Sequence, residues 1–410
     1  MKSALRLLVP VLTALFCLFP GSGAGNTAAG RIEPGPAAPA TSAGIPPTAS
    51  PEISARLQGL LDSLALEEPD VRGGVLLVSG PRYHWKGATG MADPDRGLAM
   101  LPDDSFNTDS IAKLFTAVVV MLLVEQGELG LDDPVSRYLP DSLVSGLHLY
   151  RGISYGEKIT VRHLLSHRSG IPDDWADPAF LDLIVQDPER RWRPEETVQY
   201  VKEHCPARFA PGSGFLYSDV GYNLLGLIIE NVTGHPLHQV QRDLLFEPLG
   251  MRHTYRPSHE SARPGIPGRG PSKRYLGDLE CSAMPAVLTA DWAGGGLVST
   301  VEDLNRFLRA FVRGEIFADP KSRDRMLAWQ NSGPYHEYGL GISRVNFERS
   351  GQPGHAGLGE LWGHRGTSQN YLFYWPERDI VLTGTMNQIA CRGDLYGMLA
   401  QILRALPAGR

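Results

Sequence analysis

The sequence predicts an α+β fold: an antiparallel sheet built from both ends of the chain and flanked by helices, with a largely helical region inserted between its first and last strands. Three observations predict it. Near the start, the apolar run at residues 74–78, the turn Ser79-Gly80-Pro81-Arg82 and then Tyr83-His84-Trp85 read as a strand pair. Near the end, residues 371–375, the turn Pro376-Glu377-Arg378-Asp379 and residues 380–385 read as a second hairpin, followed by an apolar helix over about 395–406. Between them, helical patterns at 161–166, 198–204, 222–232 and 301–313 alternate with Pro/Gly-rich loops. A groove between the sheet and the helical insertion is where a site is expected.

In chain order, Lys2 and Arg6, the apolar stretch 7–19 and the small residues Ser22-Gly23-Ala24 read as an export signal over residues 1–24, which places the protein in a secreted or periplasmic location. The apolar stretch is too short to span a bilayer and holds Pro10, so no stable membrane span is expected after cleavage. Residues 25–51 are rich in Ala, Pro, Gly, Thr and Ser, a composition that cannot repay the entropy of folding, and read as a disordered leader. The folded domain is expected over 52–408, beginning with a helix whose Ile53, Leu57, Leu60, Leu61 and Leu64 share one face. A formal charge of −6 leaves no basic excess for nucleic acid. There is no HExxH, no GxxxxGK[ST] and no GxGxxG opening a helix, so neither a metal nor a nucleotide cofactor is indicated. Cys205, Cys281 and Cys391 are compatible with one disulfide or with three buried thiols.

The candidate chemistry starts at Thr108-Asp109-Ser110-Ile111-Ala112-Lys113, which leads into a run apolar on every face and ending near Gly127. That run reads as a buried helix with Thr108 or Asp109 as N-cap, so Ser110 is expected in the first turn, where free N–H groups and the dipole favour developing negative charge. Three residues apart, Ser110 and Lys113 share a helical face. A serine hydroxyl needs a base, and a lysine serves as one when burial lowers its pKa enough to leave a neutral amine.

Further on stand Tyr217-Ser218-Asp219, followed by the helical run 221–230, and Gly363-His364-Arg365-Gly366-Thr367. With these motifs in this order, and with flanks such as Leu164-Leu165-Ser166-His167-Arg168-Ser169-Gly170 and Gly294-Gly295-Gly296, the sequence resembles the serine beta-lactamase and DD-peptidase superfamily, in the branch of class C beta-lactamases, D-alanyl-D-alanine carboxypeptidases and related esterases. The resemblance covers nearly all of residues 53–405 and implies a beta-lactamase/transpeptidase-like fold. It implies that Ser110 forms an acyl-enzyme, that Lys113 and Tyr217 handle the proton as one unit, and that the N–H groups of Ser110 and Thr367 form an oxyanion hole.

Two departures from the family pattern stand out. Asp219 replaces the usual Asn; a carboxylate only accepts hydrogen bonds, so it is expected either at the substrate or paired with Lys113. His364-Arg365-Gly366 replaces Lys-Thr-Gly, which ranks carboxypeptidase and esterase activity above beta-lactamase activity. Arg365 is read either as a bidentate grip on a substrate carboxylate or as a surface arginine. His364, Arg365, Gly366 and Thr367 are thus candidate substrate-binding residues, with His364 also read as an electrostatic support for the Tyr217/Lys113 unit or as a histidine that hydrogen-bonds the sheet, whereas His167 and the glycine run are assigned to structure.

The expected partner is a small-molecule or peptide substrate, cell-wall peptide included. Two rivals stand beside this reading. A penicillin-binding or sensor protein of the same fold would acylate and stall. An alpha/beta-hydrolase would use Ser154 of Gly152-Ile153-Ser154-Tyr155-Gly156, but the strand and helix that this motif needs around it are missing.

Overall fold

The computed structural model describes residues 48–68, 70–391 and 393–407; the expected export signal and the leader up to residue 47 lie outside the described residues. The last residues assigned to the leader are built into the fold. Thr48 bridges to His84, and the Ser50 side chain accepts from the Ile53 N–H to cap helix α1, Pro51–Glu67, with Pro51 in the first turn.

Nine strands form one antiparallel sheet. They are β1 (Gly73–Gly80), β2 (Tyr83–Asp93), β3 (Leu98–Ala99), β4 (Gln330–Asn331), β5 (His336–Tyr338), β6 (Ser343–Asn346), β7 (Glu360–Gly366), β8 (Asn370–Trp375) and β9 (Ile380–Thr385). The spatial order is β4-β5-β6-β7-β8-β9-β1-β2-β3. Both expected hairpins are present, with Gly80 opposite Tyr83 and Trp375 opposite Ile380. The two chain ends meet at the sheet centre, where Val75 pairs with Thr385 and Ser79 with Val381. Being buried on both faces, β1 reads as a continuous apolar run instead of an alternating one.

Each sheet face carries a core. Leu76, Val78, Tyr371 and Phe373 pack with α1 and the C-terminal helix, Leu395–Ala405. Val75, Leu77, Leu372 and Val381 face the helical insertion. Its helices include α2 (Ala112–Glu125), α3 (Pro178–Gln186), α4 (Asp219–Thr233) and α5 (Val301–Arg313), and the C-terminal helix is α6. The boundaries follow their signals. Thr300 accepts from the Asp303 N–H to start α5, and Gly314, at a φ of 74°, ends it. Strands β4 to β7 escaped the sequence reading because they are short and carry polar or glycine residues where alternation would show.

The Gly152-to-Gly156 motif is a surface hairpin, Leu149–Tyr150 with Ile153–Ser154, turning through positive φ at Arg151 and Gly152. Ser154 is exposed, so the alpha/beta-hydrolase reading loses its nucleophile. Cys205, Cys281 and Cys391 are all free thiols. No helix among the described residues is long and apolar enough to cross a membrane.

Candidate active site

Ser110 does not open the α-helix as expected. It sits in a 3-10 turn, Asp109–Ile111, that feeds into α2, and neither Thr108 nor Asp109 caps it by side chain. Both side chains have tertiary partners instead. The Thr108 hydroxyl and N–H donate to the Leu297 carbonyl at 3.2 and 2.9 Å. Asp109, at a φ of 47°, turns its carboxylate toward Arg274 and toward the segment after β7.

Lys113, one turn on, has no exposed side-chain surface and donates to Ser110 Oγ at 3.1 Å and to the Gly294 carbonyl at 3.1 Å. It forms an ion pair with Asp219, while Asp291 Oδ1 lies 3.9 Å away. The rings of Tyr217 and Tyr222 lie 5.0 and 5.6 Å from its nitrogen. Burial acts to lower the Lys113 pKa, but the charges of Asp219, Tyr217 and Asp291 outweigh it and hold the group well above its ordinary value. The expectation of a burial-neutralised amine is therefore corrected: Lys113 rests as an ammonium. Burial likewise raises the Tyr217 phenol, although the Lys113 charge and hydrogen bonds to Ser110 and Lys113 pull it back. His167 holds that ring in place. It packs on Tyr217 with centroids 4.2 Å apart, and its Nδ1 accepts from the Ser218 N–H just before α4.

Strand β7 closes the other side. Its terminal Gly366 comes so close to the nucleophile turn that a Cβ would lie 2.8 Å from the Thr108 carbonyl oxygen and 2.9 Å from Asp109 Cβ. Thr367 and Ser110 line the same pocket. His364 faces inward, but both of its nitrogens are engaged. Nδ1 donates to the Arg365 carbonyl at 2.8 Å, which fixes the tautomer, so Nε2 accepts from Tyr338 Oη at 2.9 Å. Burial, helped by Lys113, lowers its pKa to about 3. His364 is thus a neutral wall of the site and not the substrate contact expected.

Arg365 is corrected more sharply. Strand alternation puts it opposite Tyr371, on the face away from Ser110, with its guanidinium 5.9 Å from the Tyr396 ring of α6. It cannot grip a substrate beside Ser110.

Several residues here carry no motif. Asp291 became visible only in three dimensions. Its carboxylate lies over Gly294 and Gly295, where any side chain would overlap it, and this gives the glycine run its packing reason. Asn223 of α4 clamps the segment, donating to the Ala290 carbonyl at 2.8 Å and accepting from the Ala293 N–H at 3.2 Å. Asp173 accepts from the Asp219 N–H at 3.0 Å. Burial raises Asp173, Asp174 and Asp291 well above the usual carboxylate range, and the charge of Asp219 adds to the effect. The pocket extends from Ser110 between Trp175, Leu181, Ile184, Leu276, Met284 and Val287, with Asp219, Asp291 and Arg274 at its polar end.

Comparisons with known proteins agree with this architecture. A family model described as Beta-lactamase matches residues 61–390. Esterase EstB of Burkholderia gladioli is 30% identical, the match covering 79% of this chain and 90% of that protein. Among solved structures, a D-stereospecific amidohydrolase from a Streptomyces species superposes with a TM-score of 0.71 at 28% identity, over 84% of this chain and 97% of the other. The D-amino acid amidase of Ochrobactrum anthropi SV3, crystallised with L-phenylalanine amide, gives 0.71 at 26% identity, over 86% and 98%. With the family model spanning most of the folded region around a paired serine and lysine, the chain belongs to the beta-lactamase family of serine hydrolases.

Proposed function

We propose that this protein, exported by the signal read at residues 1–24, hydrolyses small esters or amides with apolar acyl groups through an acyl-enzyme on Ser110. The observation that carries this reading is the 3.1 Å contact between Lys113 Nζ and Ser110 Oγ at the mouth of an apolar pocket.

An ammonium has no lone pair, so Lys113 can accept the Ser110 proton only after passing one of its own to a neighbour. Asp219, its ion-pair partner, is that acceptor. As Oγ bonds to the substrate carbonyl carbon, the Ser110 proton moves to Lys113 and a Lys113 proton moves to Asp219. The backbone N–H groups of Ser110 and Thr367 receive the oxyanion. When the ester or amide bond breaks, Tyr217 gives the leaving group its proton and regains one from the Lys113–Asp219 pair. Water then repeats the sequence against the acyl-enzyme and releases the acid.

Charge narrows the substrate class. Of the residues lining the pocket, the one cation, Arg274, is already paired with Asp109; Asp219 is paired with Lys113, Asp291 is pushed by burial toward its neutral form, and Asp182 adds a further acidic group. With Arg365 turned away, nothing in the lining balances a substrate carboxylate. Uncharged or amine-bearing acyl donors suit the site better than a beta-lactam or a peptide ending in a free carboxylate. On this charge argument, esterase and amidase activity rank above DD-carboxypeptidase activity.

Specificity constants for an apolar p-nitrophenyl ester, the amide of an apolar D-amino acid, a peptide ending in D-Ala-D-Ala and a cephalosporin test this. The ester or the amide should lead both carboxylate-bearing substrates by about tenfold or more. A lead for either carboxylate-bearing substrate overturns the assignment.

A further inference from the structure

Resting on the acyl-enzyme reading above, we propose that Asp109, neutralised by Arg274, is a positioning residue that fixes the end of β7 against the nucleophile turn and so sets the gap between the Ser110 and Thr367 N–H groups. The residue before the nucleophile is not expected to carry chemistry, and no motif singles it out. Its surroundings do.

Asp109 is 2% exposed and holds a φ of 47°. Residues with a Cβ rarely adopt that conformation, and it persists only where the neighbours over-determine it. Here they do so through the carboxylate. Oδ2 accepts from the Thr367 hydroxyl at 3.1 Å, from the Ser368 N–H at 2.7 Å and from Asn370 Nδ2 at 2.9 Å, while Oδ1 accepts from Arg274. Three of these donors lie more than 250 residues away in sequence, two in the turn that carries the Thr367 N–H and one at the first residue of β8. Asn370 doubles the link by also donating to the Asn107 carbonyl at 2.8 Å.

The opposed backbones are in contact at Gly366, where a Cβ would be 2.8 Å from the Thr108 carbonyl oxygen. Two N–H groups on separate parts of the chain form a useful oxyanion site only if their separation is fixed before the reaction. The carboxylate of Asp109 supplies that fixation from directly beside Ser110. A buried carboxylate with this many donors still needs a counter-charge. Arg274 provides one from 5% exposure and is itself anchored, donating to the Cys281 carbonyl at 3.1 Å.

A role in packing or backbone shape alone predicts a different outcome from a positioning role, and glycine separates the two. Asp109→Gly relieves the positive φ but removes every carboxylate contact. Combining it with Arg274→Met avoids leaving a buried charge unpaired. For an ester substrate, this double variant should keep KM within about twofold while kcat falls roughly tenfold to a hundredfold, the scale of a small misplacement of reacting groups.

Asp109→Asn, which tolerates the same φ and keeps one acceptor oxygen, should recover part of that loss. It also provides the test by itself should the double variant not fold, with kcat still at least about threefold below wild type at unchanged KM. Full kcat in the folded double variant, or in Asp109→Asn when that variant alone is available, overturns the proposal. Labelling of the wild-type protein with a fluorophosphonate separates the two levels of the argument. With no adduct on Ser110 the acyl-enzyme reading itself fails, whereas an adduct together with undiminished kcat removes only the role given to Asp109.

Discussion

Lys113 shows why residue type and spacing do not determine a protonation state. The spacing to Ser110 and the apolar helix beyond were enough to pair the two residues and to bury the amine. The carboxylate at position 219 offered pairing with the amine as one of two options, and the structure selects it, but nothing in the sequence showed that Asp291 would arrive from residues packed under α4. Burial and carboxylates oppose each other at this nitrogen, and the carboxylates win. In the proposed proton path the reacting unit is this lysinium–aspartate pair. Asp219→Asn removes the acceptor and leaves Lys113 as the only base, which must lose its proton before it can act. Wild type can pass the lysine proton to Asp219, whereas the variant is active only once the lysine itself has lost its proton. The acidic limb of the kcat/KM profile should move up by about one pH unit or more. An unmoved limb, or one displaced to lower pH, contradicts the proton path through Asp219.

At the scale of elements, the strong periodic signals and the turn chemistry were legible. The expected helix at 301–313 matches α5 residue for residue, and both hairpins close at the anticipated turns. Strand β7 was not legible, because Gly363, His364, Arg365 and Gly366 show neither alternation nor β-branched residues. Its side-chain directions were therefore unknown, which left Arg365 open between a substrate grip and a surface position; the pleat sends it to α6 and rules out the grip. The same strand carries a tight constraint on the site. Gly366→Ala places a methyl against Thr108 and Asp109 and must push β7 away from the Ser110 turn. The expected cost is about 1–3 kcal/mol of stability. Activity should suffer more, with kcat falling about tenfold or more as the oxyanion donors separate. Denaturant melts and ester kinetics on the purified variant check both. A destabilised variant with wild-type kcat would show that the spacing at β7 does not matter.

For the whole molecule, the sheet joins the two chain ends and the helical region fills the interval, so the candidate site forms only when three distant stretches meet. Ser110 and Lys113 come from the 3-10 turn and helix that open the insertion, Tyr217 and Asp219 from deeper in its sequence, and Thr367 from the returning strands. Each stretch carried a motif that could be read locally, which is why the sequence could single out residues that the fold then brings together. Asp291 and Arg274 belong to no local pattern, and Asn223 stands out from its helical run by nothing in the sequence; their partners are set by how the stretches pack, and sequence spacing holds no record of that. The central claim is that this packing makes Ser110 the nucleophile. Its most direct test is to treat the wild-type and Lys113→Ala proteins with a fluorophosphonate and map the modified peptide by mass spectrometry. A single adduct on Ser110 that disappears in the variant is the predicted result, whereas an adduct on Ser154, or none on the folded wild-type protein, would contradict it.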